Sequence, residues 1–143
     1  MQLTRGVEYG IEGILYLARR DGDDPTLIRE ISRATDIPAT FLSKIFQRLV
    51  KRGLVFSRRG FRGGFWLARP ARRITLKEIV EALQGPIEFH RCFDHLRARG
   101  RKERCQVKRA FEKVQRKVAV ILEQTTLEDI LHGTALRPRR VSF

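Results

Sequence analysis

The fold is decided by the stretch Ala39-Thr40-Phe41-Leu42-Ser43-Lys44-Ile45-Phe46-Gln47-Arg48-Leu49-Val50-Lys51-Arg52-Gly53-Leu54-Val55-Phe56-Ser57-Arg58-Arg59-Gly60-Phe61-Arg62-Gly63-Gly64-Phe65-Trp66-Leu67-Ala68. Its first half places Phe41, Leu42, Ile45, Phe46, Leu49 and Val50 in one apolar stripe at helical spacing. The spacing predicts a helix from about Ala39 to Arg52, with Pro38 or Thr40 near its start and Gly53 as its stop. In the second half, two β-prone runs flank a turn rich in Gly and Arg, which is the pattern of a hairpin, and Arg69-Pro70-Ala71 closes it. Charge sets the segment apart as well: from Lys44 to Arg73 there are ten Lys or Arg and no Asp or Glu.

On the N-terminal side, Leu3, Val7, Ile11, Ile14, Leu15 and Leu17 predict a helix over 3–20, and Asp21-Gly22-Asp23-Asp24-Pro25 breaks it. A second helix fits 27–35, with Leu27, Ile28, Ile31 and Ala34 inward, and Asp36-Ile37-Pro38 forms the turn into the third. On the C-terminal side, a short helix over 75–84 starts at Thr75, with Glu78 completing a capping box, and Gly85-Pro86 ends it. Residues 87–105 have no clean period and read as a functional loop with partial helix. Over 106–124, Val107, Phe111, Val114, Val118 and Ile121 form a heptad-like seam on a long helix, which a second copy of the chain would cover. A last short helix covers 126–131, and the basic tail from Gly133 is expected to be disordered. The expected fold is therefore mainly α with a small β-hairpin wing: a winged helix-turn-helix plus a long dimerisation helix. The corresponding organisation is a DNA-binding unit over 1–84, a sensor loop over 85–105, the dimerisation and C-terminal helices over 106–132, and the tail over 133–143.

Composition narrows the function. The 143 residues carry a formal charge of +14, from 30 Lys+Arg against 16 Asp+Glu. That excess calls for an anionic partner, nucleic acid before an anionic membrane surface. No apolar run approaches the roughly 20 residues of a membrane span, and the first residues lack an apolar signal core, so a cytoplasmic location is expected and no membrane partner. Neither a nucleophile–base pair nor a phosphate-binding Gly loop before a helix is present, which argues against an enzyme.

Helix, turn, helix and basic hairpin in this order place the third helix against a DNA major groove. With Phe41, Ile45 and Leu49 kept for the core, Ala39, Thr40, Ser43, Lys44, Gln47, Arg48 and Lys51 point outward. Thr40, Ser43 and Lys44 lie near the end that meets base edges; Gln47, Arg48 and Lys51 suit backbone or packing roles. In the turn, Arg58, Arg59, Arg62 and Gly63 suit a flexible basic tip entering a narrow minor groove. Phe65 and Trp66 alternate sides of the hairpin, so one packs inward and the other covers an edge.

With these residues in view, the chain resembles the IscR/NsrR family of small winged-helix regulators over nearly all of residues 1–132. The resemblance is carried by Leu3-Thr4…Tyr9, by Phe41-Leu42…Ile45-Phe46…Leu49…Gly53-Leu54-Val55, and by the wing Arg59-Gly60-Phe61-Arg62-Gly63-Gly64-Phe65-Trp66-Leu67. Ile74-Thr75-Leu76…Ile79-Val80-Glu81-Ala82 and Thr125-Thr126-Leu127-Glu128-Asp129-Ile130 add to it. It implies a homodimer joined through the long helix and bound to a palindromic operator. For many members it also implies an iron–sulfur cluster in the loop before that helix, used to sense redox, iron–sulfur or nitric oxide status.

Cluster-binding members commonly present three cysteines there. This chain has two: Cys92 matches the first and Cys105 the last. A 2Fe–2S cluster accepts nitrogen in place of thiolate, so His95, or His90, is a local candidate. The resemblance adds Glu8, in the stretch where some members complete the cluster from the partner subunit, and Glu12, where a two-cysteine subtype has histidine. Glu8 and Glu12 share one helix face, although carboxylates are harder ligands than a reduced cluster prefers. Arg91, Arg97, Arg99, Arg101, Lys102 and Arg104 would lower the thiol pKa values. A clusterless member with a thiol switch, or with a small-molecule or protein ligand, is the alternative.

Overall fold

Thr4 begins the first helix. Its side chain accepts a hydrogen bond from the Val7 N–H at 3.4 Å, and helix α1 runs Arg5–Arg19. The computed structural model describes residues 2–20, 22–89 and 102–134. In chain order, α1 is followed by α2 (Ile28–Thr35), α3 (Ala39–Lys51), strands β1 (Val55–Arg58) and β2 (Gly64–Leu67), a 3₁₀ turn (Ala71–Arg73), α4 (Leu76–Gln84), α5 (Lys102–Gln124) and α6 (Leu127–Leu131). The expected winged helix-turn-helix with a long following helix is thus the observed architecture.

Local chemistry explains most boundaries. Asp36 ends α2 in the left-handed conformation at φ 56°, and Pro38 starts α3. Gly53 ends α3 at φ +69°; its N–H reaches the Val50 carbonyl at 3.0 Å, and the Leu54 N–H reaches Leu49 at 3.0 Å. Those two bonds make a Schellman stop. The same pair closes α6, from Gly133 to Ile130 and from Thr134 to Asp129. Gly133 and Thr134 are therefore ordered against α6, contrary to the expectation of a tail that is loose from Gly133; residues 135–143 lie outside the described residues. Thr75 caps α4 in the predicted capping box, and Thr126 caps α6 in a second one with Asp129.

The core joins α1, α3 and α4 with the sheet base and α6. Ile14, Ile31, Leu42, Phe46, Leu49, Leu54, Ile74, Ile79 and Leu127 are all buried. Gly10 and Gly13 let α1 approach closely: a Cβ on Gly13 would sit 2.7 Å from the Phe46 ring, and one on Gly10 would sit 2.2 Å from Leu83 Cδ1. The C-terminal segment returns to this core. Leu76 N–H bonds the Thr125 carbonyl at 2.9 Å, and Leu127 N–H bonds Ile74 at 3.0 Å. On α5, Val118 and Leu122 pack against the core, while Val107, Phe111, Val114, Val120 and Ile121 are exposed.

Several expected core positions are on the surface. Leu3 precedes α1 and is exposed; Leu27 is the N-cap of α2, 48% exposed, and Ala34 also faces out. Phe41 is 57% exposed, because it lies at the rim of α3 and meets Tyr9 of α1 edge-on at 6.3 Å rather than entering the core. The long helix starts about one turn before the predicted boundary, so Cys105 stands in its first turn rather than in a preceding loop.

Candidate nucleic-acid interface

Helix α3 is amphipathic, with Leu42, Ile45, Phe46 and Leu49 buried. The opposite face presents Thr40, Lys44, Gln47 and Lys51, all exposed and spaced three or four residues apart. Ala39 and Ser43 flank that face and are half-buried. Gln47, expected to point outward with a backbone or packing role, stands in the middle of this row. Arg48 is more constrained: one guanidinium nitrogen donates to the Leu83 carbonyl at 3.1 Å, near the C-terminal end of α4. It holds α3 against α4, and its charge favours that helix end.

The wing projects beside α3. β1 and β2 pair antiparallel from Val55 with Leu67 to Arg58 with Gly64. The hairpin is not alone: Thr26, buried ahead of α2, forms a β-bridge with Phe65, with N–H to carbonyl bonds of 2.9 Å in both directions. This tie fixes the wing base to the start of the helix-turn-helix. Composition hid it, because a single threonine gives no strand signal. Phe65 packs edge-on against Phe46 at 5.1 Å, and Trp66 against Phe56 at 5.9 Å on the other face of the hairpin.

The tip is tightly built. Gly63 N–H bonds the Gly60 carbonyl at 2.9 Å, and Arg58 Nη2 donates to the Arg62 carbonyl at 2.7 Å. Arg62 sits at φ 63°, so the Gly60–Gly63 turn has the φ signs of type II, with Arg where Gly is usual. Gly63 is buried, and a Cβ there would lie 2.3 Å from the Arg58 carbonyl oxygen. Its smallness is accounted for by the turn itself. Arg59 and Arg62 are exposed. Phe61, at the apex, is 94% exposed, with the Arg62 guanidinium 5.8 Å from its ring centroid.

Between α3 and the wing lies an open cleft of about 390 Å³, walled by Gln47 and Val50 on one side and by Ser57, Arg58 and Arg59 on the other. The helix face and the wing thus border one concave surface. No acidic residue occurs between Asp36 and Glu78 to oppose its positive charge. Among the described residues no helix is long and apolar enough to cross a membrane.

Glu8 and Glu12 are exposed one turn apart on α1. Cys105 is in the first turn of α5. Cys92, His90 and His95 lie outside the described residues. Among the described residues, no group of three or more His, Cys, Asp and Glu side chains is placed to hold a metal ion.

Comparison with known proteins agrees with this geometry. The Rrf2 family model, described as an iron-dependent transcriptional regulator, matches residues 3–133. The transcriptional regulator IscR of Cereibacter sphaeroides is 33% identical over 146 aligned positions, covering 96% of this chain and 91% of that protein. The transcriptional repressor NsrR of Streptomyces coelicolor is 31% identical, covering 92% and 88%. Among solved structures, CymR, the global cysteine regulator of B. subtilis, superposes with a TM-score of 0.77 at 27% identity, covering 94% of this chain and 98% of that one.

Proposed function

The chain belongs to the Rrf2 family of transcriptional regulators, and from that premise we propose that it acts as a homodimer reading a two-half-site operator with α3 and the wing. One observation carries this reading: the exposed face of α3 and the basic wing border a single concave surface without an acidic residue from 37 to 77. Thr40, Ser43 and Lys44, with Ala39 beside them, meet base edges in the major groove. Lys51 and the free donors of Arg48 serve phosphates. Arg59 and Arg62 enter the flanking minor groove, held by the Arg58 bond and the Gly63 turn. The exposed apolar residues of α5, Val107, Val114 and Ile121 among them, are the face that a second copy covers.

The sensing half of the proposal rests on the two thiols. Cys92 and Cys105 would hold an iron–sulfur cluster, 2Fe–2S by preference, and Glu8, Glu12 or His95 would complete it. When bound, such a cluster supplies a one-electron couple and a site that can be lost or rebuilt. The donor chemistry suits it in part: two soft thiolates, with exposed carboxylates as harder, weaker ligands. Since the described residues of one chain do not assemble a donor set, the remaining ligands come from the 90–101 segment or from a second copy. Cys105, within α5, links that site to the dimer helix, so that a change at the thiols biases the spacing of the two α3 helices.

A second reading has a specific basis, namely two cysteines where three are common and a fold similar to CymR. In it Cys92 and Cys105 form a reversible thiol switch without metal. Visible absorption with iron and sulfide analysis, on protein purified without oxygen, separates the two. Absorption between roughly 300 and 600 nm with matching iron and sulfide, lost in Cys105→Ser, supports the cluster. Colourless protein whose operator affinity changes on thiol oxidation supports the switch.

A further inference from the structure

The wing carries a residue that a purely electrostatic interface does not need. Phe61 stands at the apex of the Gly60–Gly63 turn, and its ring is 94% exposed. An apolar ring held in water costs hydration free energy, and here the backbone keeps it out. The turn is closed by Gly63 to Gly60, the Arg62 carbonyl is held by Arg58, and Gly64 is wedged against the Thr26 backbone at 2.6 Å for a Cβ contact. The tip is thus a stiff presentation of one phenyl group between two exposed arginines, Arg59 and Arg62. Arg62 takes a left-handed backbone, at φ 63°, that most side chains avoid. A backbone outlier of this kind points to a functional demand on the turn.

Resting on the DNA-binding reading above, we propose that Phe61 is an apolar wedge of the wing, entering the minor groove between Arg59 and Arg62 and pressing on one base step. The charge around it selects the occupant. Arg58, Arg59 and Arg62 lie within three residues of Phe61 in the chain, the Arg62 guanidinium is 5.8 Å from its ring centroid, and no acid lies between Asp36 and Glu78, which favours a polyanion over an apolar protein patch. Duplex DNA offers both the phosphates for the arginines and a stacked apolar interior for the ring, and minor-groove proteins insert Phe, Leu, Ile or Met between base steps in this way. On binding, the Arg62 guanidinium leaves its place 5.8 Å from the ring for a phosphate. Wedge contact favours pyrimidine–purine steps, TA and CA/TG, because they unstack most easily. The wing then reads deformability at a position where it makes no base-edge hydrogen bond.

The test uses the full chain and a randomised duplex pool. Wild type first enriches a preferred duplex, and its affinity is measured by fluorescence anisotropy over a range of salt. Phe61→Ala is expected to bind that duplex about tenfold more weakly, the loss of roughly one stacking contact, with an unchanged slope of log Kd against log salt. Arg59→Ala is expected to reduce that slope by about one. A pool selected again with Phe61→Ala loses the preference for a pyrimidine–purine step under the wing, and Phe61→Trp keeps it. 2-Aminopurine placed at that step brightens with wild type and stays dim with Phe61→Ala. Since the side chain is exposed, thermal melting checks that the variants stay folded. A variant that binds within twofold of wild type and selects the same step overturns the wedge while leaving the DNA reading intact. A wild type that enriches no duplex overturns both.

Discussion

Gly64→Ala tests the way the wing is mounted. Gly64 has φ +144°, a conformation that L side chains rarely adopt, and a Cβ there would lie 2.6 Å from the Thr26 oxygen, 2.8 Å from its carbonyl carbon and 2.9 Å from its nitrogen. All three neighbours are backbone, so none can swing aside. The unfavourable φ costs about 1–3 kcal/mol wherever the hairpin sits, and relieving the clash makes β2 part from Thr26 and give up two hydrogen bonds worth about 0.5–1.5 kcal/mol each. Together the loss is roughly 2–6 kcal/mol, a large part of the 5–15 kcal/mol typical of a domain. For a chain of this size that lowers Tm by roughly 8–24 °C. Gly60→Ala is the control: its φ is +89° but nothing lies within 4 Å of an added Cβ, so it loses only backbone strain, about 1–2 kcal/mol. Thermal unfolding followed by circular dichroism ranks the three proteins. Operator affinity, measured well below the lower Tm, is expected to fall with Gly64→Ala because the tip arginines lose their mount. A Gly64→Ala protein that melts within about 2 °C of wild type, or level with Gly60→Ala, refutes the claim that the Thr26 bridge holds the wing.

Four further outcomes follow from particular residues. Burial is the largest influence on Glu78 and favours its neutral form, yet the Thr75 N–H and then the Arg69 guanidinium together outweigh it and hold the carboxyl below its ordinary value; its stabilisation is present above the unfolded carboxylate range of about 4.3 and is lost as pH falls through the lower folded value, so the advantage of wild type over Glu78→Gln in chemical denaturation should be full at neutral pH and shrink on acidification. Thr75→Ala removes the cap and should cost about 0.5–2 kcal/mol in the same assay. Ile121→Glu, at a side chain 57% exposed on α5, should convert a dimer to monomer in sedimentation velocity without unfolding the winged region; an unchanged sedimentation coefficient removes Ile121 from the interface. Arg62→Gly relieves a left-handed Arg, so stability should rise by up to about 1 kcal/mol while operator affinity falls, and a variant equal to wild type in both respects would show that Arg62 is neither strained nor at the DNA.

What could be read from sequence was local. The α3 stripe, the Gly53 stop, the hairpin and the Thr75 capping box depend on neighbours within one or two turns, and all are present. Errors arose where a distant partner decides. Phe41 fits the apolar period but lies at the rim against Tyr9, and Leu27 is spent as an N-cap. Gly10 and Gly13 look like weak points in a helix, yet they are the places where Leu83 and Phe46 come close. Thr26 and Leu127 are joined to the wing and the core by bonds that span many residues, to Phe65 and Ile74 respectively. At the proposed interface, charge and spacing point to α3 and the tip. They did not reveal that Arg48 is tied to α4, that Gly63 is internal to its turn, or that Phe61 is the outermost apolar group of the wing.

The most direct test of the central claim is the ratio of affinities, at one physiological salt concentration, for a duplex enriched from a random pool and for a scrambled duplex of equal length. Specific reading by α3 and the wing in a dimer predicts a ratio of about 10³ or more, with two half-sites roughly one helical turn or a multiple of it apart. Equal affinity for both duplexes, falling together as salt rises, would contradict it and leave only a basic surface that holds any nucleic acid.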